Sequence, residues 1–261
     1  MGMNARESRT AVVTGASSGI GRATALRLFE EGYRILAIAR RRERLEDLAR
    51  MVNAPGKFDV LACDVSVDED VARVAEYVER EFGGSLTTLC NIAGGALGVE
   101  QIADADFDKW EGMFRSNVLG AGRVTKALLP ALEASGSGDV VFLTSTASQT
   151  AYEGGSGYNA AKAGEHMIAA ALRLELAGKP IRVIEIAPGL VHTEEFSLTR
   201  LGGDQAAADK VYEGVDKPLT ADDIADVIAY SVKLPHHVNL DLVTLRPLAQ
   251  AAQHKLIRRT R

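Results

Sequence analysis

The segment Thr10-Ala-Val-Val-Thr-Gly-Ala-Ser-Ser-Gly-Ile-Gly21, continued by Arg22-Ala-Thr-Ala-Leu-Arg-Leu-Phe-Glu-Glu-Gly32, decides the fold. Its first five residues are apolar and β-branched enough for a short buried strand. Glycines then punctuate the chain, and a helix-forming run closes on a terminal glycine. Strand, glycine-rich turn and helix in that order open a βαβ unit, and the turn aims backbone N–H groups and a helix N-terminus at an anion such as a pyrophosphate. The glycines divide the work: Gly15 for the tight turn, Gly19 for close backbone approach to the ligand, Gly21 for helix-to-strand contact. Ser17, Ser18 and Ile20 fill the same turn. The spacing is G-x3-G-x-G rather than the G-x-G-x-x-G of many dinucleotide sites.

Apolar runs that read as further strands recur at Tyr33–Ala39, Lys57–Cys63, Leu86–Cys90, Asp139–Thr144, Ile181–Ile186 and Leu240–Leu245, with helical stretches between them. This alternation predicts one α/β domain over residues 1–261, a Rossmann-like doubly wound parallel sheet of about seven strands with helices on both faces. In such sheets ligands bind at the carboxyl ends of the strands. At the end of the second run, where an NAD site would place an acid, the chain has Arg40 and Arg41; a guanidinium there favours the 2′-phosphate of NADP(H). Arg40 leads that reading, and Arg42 and Arg44 read as the start of the next helix. Asp64 can accept from an adenine amino group beside Val65, or cap the helix that follows. Asn91, Ala93 and Gly94 break the fourth run with small residues that let a cofactor come close. After the sixth run, the turn Pro188-Gly189-Leu-Val191-His-Thr193 offers backbone groups and a hydroxyl to a nicotinamide carboxamide.

The chemistry concentrates between Gly138 and Ala163. Tyr158 and Lys162 lie four apart in a helix-forming run, one turn apart on one face. A phenol with an ordinary pKa of about 10 is a poor base near neutrality, and an ammonium within ~4–6 Å favours its ionised form. Ser145 ends an apolar run and so presents its hydroxyl at the carboxyl edge. Asp106–Glu133 reads as one long helical stretch containing Asn117, an amide that on its own reads as a satisfied buried group. Residues 194–217 are polar and weakly patterned, with Gly202-Gly203 as a flexible point, and read as a lid. Within or near that region Arg200 is the candidate cation for a substrate carboxylate, or else a solvated side chain, and Glu153 faces an amine or caps the turn at Gly154-Gly155. The tail His254–Arg261 reads as solvated.

Thr14-Gly-Ala-Ser-Ser-Gly-Ile-Gly21, Asn91-Ile-Ala-Gly94, Asn117, Ser145, Tyr158-Asn-Ala-Ala-Lys162 and Pro188-Gly189 together resemble the short-chain dehydrogenase/reductase superfamily, from Thr10 to about Pro247. Asn91-Ile departs mildly from the usual Asn-Asn of that pattern. Later stretches, Thr193-Glu-Glu-Phe-Ser and Leu234-Pro-His-His-Val-Asn-Leu among them, are similar to the branch of NADP-dependent 3-hydroxy acid dehydrogenases acting on L-allo-threonine and serine. The resemblance implies Tyr158 as acid or base, Lys162 as the cation beside it and the holder of the nicotinamide ribose, Ser145 as donor to the developing alkoxide, and Asn117 in a proton relay. It also implies a homotetramer built through the helices of Asn117 and Tyr158. Reduction of bulkier ketones or 3-oxoacyl compounds, and a non-catalytic NADP-binding module, are the alternative readings.

Composition sets the outer bounds. The chain has 261 residues, 46% hydrophobic and 25% charged, with a formal charge of −5, which argues against a general nucleic-acid binder. Cys63 and Cys90 sit in apolar runs without metal-ligand spacing, and the five histidines show none either, so no metal and no disulfide are expected. The polar start lacks an apolar leader and no run is long enough to cross a bilayer, so a cytoplasmic protein is expected; a small alcohol or ketone as substrate is what the family resemblance implies.

Overall fold

The computed structural model describes residues 9–259; the polar lead-in at 1–8 and the last two residues of the tail lie outside them. The elements run β1 (Thr10–Thr14), α1 (Gly19–Glu30), β2 (Arg34–Ala39), α2 (Arg42–Val52), β3 (Phe58–Ala62), α3 (Asp68–Glu81) and β4 (Thr88–Asn91). Then come α4 (Phe107–Met113), α5 (Gly120–Ala134), β5 (Gly138–Leu143), α6 (Ser156–Glu175) and β6 (Ile181–Pro188). Five strands, β1, β2, β4, β5 and β6, with β3 and β9 (Val243–Leu245) at the edges, form one sheet of order β3-β2-β1-β4-β5-β6-β9. Every pair in it is parallel. The order reverses between β1 and β4, and the carboxyl ends part there into a crevice.

Alternation along the strands explains the two faces. Ala11, Val13, Ile35 and Ala37 point to one side, where they meet Leu28 of α1, Leu45 and Leu48 of α2 and Ile224 and Ile228 of α9 (Ala221–Lys233). Val12, Leu36, Ile38 and Leu89 point to the other and pack on Val74 of α3, Val124 and Leu128 of α5 and Leu172 of α6. Near-continuous apolar strands are what a sheet buried on both faces requires. The β5–β6 pair also carries charge into this interior. Arg182 pairs with Asp139 (Nε–Oδ1 2.6 Å) and donates to the carbonyls of Val232, Leu234 and Val238, so it fastens the end of α9 to the sheet.

Several expectations are corrected. The long helical stretch is broken into α4, a π-helical turn at Phe114–Leu119 and α5, with Asn117 inside the π turn. The last sheet strand is three residues, not six. The weakly patterned segment 194–217 contains two helices, α7 (Phe196–Arg200) and α8 (Gln205–Tyr212), after the two-residue β7 (Val191–His192), which pairs with β8 (Leu219–Thr220). The described part of the tail, His254–Arg259, is mostly exposed as expected, but it also carries β11 (Lys255–Leu256), which pairs with β10 (Gln250–Ala252) in a hairpin. Arg258 donates to the carbonyl of Val211 at 2.9 Å. A polar sequence without alternation gave no sign of this, since the hairpin is held by tertiary hydrogen bonds and not by an apolar face of its own.

The buried pair at the sheet makes a prediction. Asp139→Ala leaves the Arg182 charge uncompensated and is expected to cost ~3–5 kcal/mol. Equilibrium denaturation measures this, and a loss below ~1 kcal/mol would contradict the clamp.

Candidate active site

A cavity of about 760 Å³ opens at the carboxyl ends of β1, β4, β5 and β6. Backbone chemistry builds its floor. Gly15 (φ 70°) and Gly19 (φ 50°) take left-handed conformations that glycine adopts without strain. A Cβ at Gly21 would run into the Gly15 carbonyl, so α1 can start this close to β1 only with glycine there. Thr14 joins the first and fourth strands across the switch point, its Oγ1 accepting the N–H of Ile92 and of Ala93 at 2.8 Å each. The early N–H groups of α1 are thereby left facing the cavity, and Gly15, Ser17, Ser18, Gly19, Ile20 and Gly21 all line it.

Charge gathers on the same side. Arg40 and Arg41 both line the cavity, but Arg41 is the one bound to the loop, donating to Ser17 Oγ (3.0 Å) and Ser18 Oγ (2.8 Å). Its other nitrogen meets Glu195 at 2.7 Å, and Arg44 reaches the same carboxylate at 2.5 Å. Arg44 is therefore more than a helix-start charge. Hydrogen bonding from Arg41, against a smaller effect of burial, holds the Glu195 carboxyl at about 2. Asp64 and Val65 lie on the wall beyond, and Asp64 accepts the Ser66 N–H at 2.9 Å. Ala93, Gly94, Pro188, Gly189, Val191 and Thr193 complete the shell that the sequence predicted.

Two predicted residues stand behind the wall, not in it. Asn91 is buried and donates to Thr125 Oγ1 at 2.9 Å. Asn117 spends its amide on Met113 O (2.7 Å) and Gly95 O (3.1 Å) and accepts the Gly95 N–H at 3.1 Å. Its side chain braces the loop after β4. Glu153 is exposed and does not line the cavity, so the structure separates it from the other candidates.

The remaining candidates converge. Ser145 sits just past β5, its Oγ accepting the Ala147 N–H (3.1 Å) and donating to Pro188 O (3.4 Å). Tyr158 lines the cavity from the first turn of α6, its ring edge-on to Phe196 at 5.9 Å and 8% exposed. Arg200 approaches from α7 with its guanidinium 5.7 Å from the Tyr158 ring centre and 5.4 Å from that of Tyr152, and donates to Gly98 O at 3.2 Å. Lys162, one turn beyond Tyr158, is buried and donates to Leu143 O at 2.8 Å and to Glu165 at 2.6 Å. Burial lifts the Glu165 carboxyl to about 7 despite the ammonium beside it.

Sequence reasoning missed Glu195, Glu165 and the tail. Glu165 carried a signal, an acid three residues after a lysine on a helix face. Gln250 and Gln253, just before the tail, line the cavity, and Gln250 Oε1 accepts the Leu190 N–H at 2.8 Å. Both cysteines are free thiols and buried, burial pushing Cys63 up to about 12. Among the described residues no acidic, histidine and cysteine cluster could hold a metal, and no helix is long and apolar enough to cross a membrane.

An open parallel sheet with a glycine-lined dinucleotide cradle beside a serine, tyrosine and lysine defines an oxidoreductase class, and the family comparison agrees. The short chain dehydrogenase model matches residues 9–200, and the chain belongs to that family. It is 47% identical to an uncharacterized oxidoreductase of Mycobacterium tuberculosis over 94% of this chain and 93% of the other. It is 38% identical to sulfoacetaldehyde reductase 2 of Chromohalobacter salexigens over 92% of this chain and 94% of that one. The solved structure of a closed serine dehydrogenase complexed with NADP+ superposes with a TM-score of 0.89 at 31% identity, covering 96% of this chain and all of the other.

Glu195 ties the segment after β7 to the arginines at the end of β2. Because its carboxyl is depressed, its stabilisation is complete above the unfolded value near 4.5 and is lost as pH falls toward 2. Glu195→Gln is expected to speed amide exchange in residues 194–217 about two- to fivefold at neutral pH, the scale of a half-exposed pair worth ~0.5–1 kcal/mol. Unchanged exchange there would remove the strap.

Proposed function

We propose that this chain is an NADP(H)-dependent dehydrogenase/reductase of a small secondary alcohol or ketone bearing an anionic group, of the 3-hydroxy acid type that includes serine and L-allo-threonine. The observation that carries the substrate reading is Arg200, whose guanidinium stands beside the Tyr158 ring inside the cavity. Arginine has five N–H donors, and the backbone carbonyls of Gly98 and Gly154 use only part of that fork. The cofactor reading is supported by the glycine cradle, in which a Cβ at Gly21 would collide with the loop, and by Arg40 and Arg41 at the end of β2. Gly15 to Gly21 would hold the pyrophosphate, Arg41 with Arg40 the 2′-phosphate, Asp64 and Val65 the adenine, and Ala93 and Gly94 with Pro188, Gly189, Val191 and Thr193 the far end.

When bound, the nicotinamide supplies the hydride chemistry. The chain's own part is proton handling and orientation. Tyr158 takes the alcohol proton in oxidation and returns it in reduction. Ser145 donates to the substrate oxygen as negative charge grows on it. Lys162 provides the positive charge behind the phenol and a donor toward the ribose. Asn117 acts indirectly, by holding the Gly95 loop that borders the cavity. Residues 194–217 act as a lid, and Phe196 and Arg200 bring its first helix against the phenol.

A cytoplasmic homotetramer is the proposed state. Cys63 and Cys90 remain thiols, and the exposed Phe114, Leu119 and Met167 on the helical faces around Asn117 and Tyr158 support association of copies. Sedimentation equilibrium is expected to give four chains per particle; a monomer at micromolar concentration would overturn that state.

The enzyme reading is tested by assaying NADP+ and NAD+ reduction over a panel of 3-hydroxy acids, with and without an α-amine, alongside neutral alcohols. Tyr158→Phe is expected to keep NADPH binding and lose ~10²–10⁴-fold in turnover. Arg200→Ala is expected to raise KM for the anionic substrates roughly ten- to a hundredfold, the weight of a charge-assisted hydrogen bond, and to spare neutral alcohols. Binding of dinucleotide without oxidation of any member of the panel would favour a non-catalytic module. Preference for neutral ketones or 3-oxoacyl compounds would move the substrate class.

A further inference from the structure

Glu165, the ion-pair partner of Lys162, has no part in the roles given so far. Lys162 and Glu165 are 5% and 1% exposed, lie three residues apart on α6 and meet at 2.6 Å. An ammonium has three N–H donors. One goes to Glu165 and one to the Leu143 carbonyl at the end of β5, which leaves a single donor for the cavity that Lys162 lines. The other buried acid nearby is already engaged: Glu185 on β6 accepts from Thr144 Oγ1 at 2.7 Å and meets His166 Nδ1 at 2.8 Å. Glu165 is therefore the direct counter-ion of the lysine.

We propose that Glu165 is a positioning residue for the reaction: it holds the Lys162 amine in its protonated form, with two of its donors anchored and the third aimed at the ribose and phenol. The inference rests on the reading of Lys162 under Proposed function. It adds a residue whose carboxylate touches neither substrate nor cofactor and acts only through the lysine.

The electrostatics follow from burial. Placing an ammonium inside the protein disfavours its charge, and for Lys162 that is the largest single influence. Glu165, followed by Tyr158 and Glu185, more than reverses it and holds the amine above its ordinary value. The titratable groups facing the pair are Glu185 from β6 and Tyr158 from α6, and β5 contributes the Leu143 carbonyl, while His166 and the Thr144 hydroxyl bind Glu185. Without Glu165 the burial term prevails, so the amine loses its proton at lower pH. A neutral amine no longer favours the ionised phenol.

Glu165→Gln, Glu165→Asp, Lys162→Met and the Glu165→Gln/Lys162→Met double variant of the full chain provide the test. In Glu165→Gln the alkaline limb of kcat is expected to move at least one pH unit toward acid, a tenfold loss near the wild-type limb, and Glu165→Asp to recover part of it. The cofactor-free protein gives a second readout. A lysine depressed in the folded state costs stability below its folded value and is relieved as pH approaches its unfolded value near ~10. The thermal deficit of Glu165→Gln is thus expected to shrink between pH 8 and 10, and that pH dependence to vanish in the double variant. An alkaline limb coincident with wild type together with a deficit independent of pH would reduce Glu165 to packing and overturn the proposal. Full turnover in Lys162→Met would instead sink the reading of Lys162, while the cofactor-free stability profile would still report on the pair.

Discussion

The close approach of α1 to β1 is the constraint on which the rest of the structure depends. Gly21 lies so near the Gly15 carbonyl that no side chain fits, and Thr14 ties the ends of β1 and β4 through two backbone N–H groups. Together they hold open the point where the strand order reverses and turn the start of α1 toward it. Everything chemical is then delivered to that opening by elements whose directions the sheet dictates. Ser145 comes from the end of β5, Pro188 and Gly189 from the end of β6, and Tyr158 and Lys162 from the helix that returns between them. A parallel sheet makes such convergence unavoidable, because every strand ends on the same side.

Two ion pairs border the cavity, and burial gives them different weights. Glu195 with Arg41 and Arg44 lies near solvent, where such pairs contribute ~0.2–1 kcal/mol and rearrange readily. That is suited to the lid role proposed for residues 194–217. Lys162 with Glu165 lies inside, where losing one partner strands a charge at a cost of ~3–5 kcal/mol. That is suited to a group whose position and charge must not vary. The Arg182–Asp139 pair is of the second kind and serves the frame: it binds β5, β6 and the end of α9 into one unit beneath the site.

Asn117 shapes the cavity from behind its wall. Its amide completes the polar needs of Gly95, and it sits in a π-helical turn between α4 and α5. Such turns interrupt regular helix pairing and are often retained where a site needs an irregular contour. The long helical stretch read from periodicity was correct in extent and blind to this break, because one extra residue in a turn leaves no compositional trace.

The doubly wound sheet was legible in the sequence because apolar strands buried on two faces and glycines at fixed offsets are local signals. So were the lining residues at or just after the strand ends, such as Gly15, Arg40, Asp64, Ala93 and Gly189. The spacing of Tyr158 and Lys162 was a helix-geometry statement that needed no partner. What tertiary structure alone decided was which charges meet. Glu195 reaches Arg41 across 154 positions and Arg258 closes on Val211 from the far end of the chain, while Asn117 turns to Gly95 and Glu153 turns outward. Even Glu165, so near Lys162 in sequence, became a counter-ion only because the fold buried both. Local patterns are set by the chain's own periodicity and steric preferences, whereas the pairing and protonation of charged groups depend on how much water the assembled fold removes from around them.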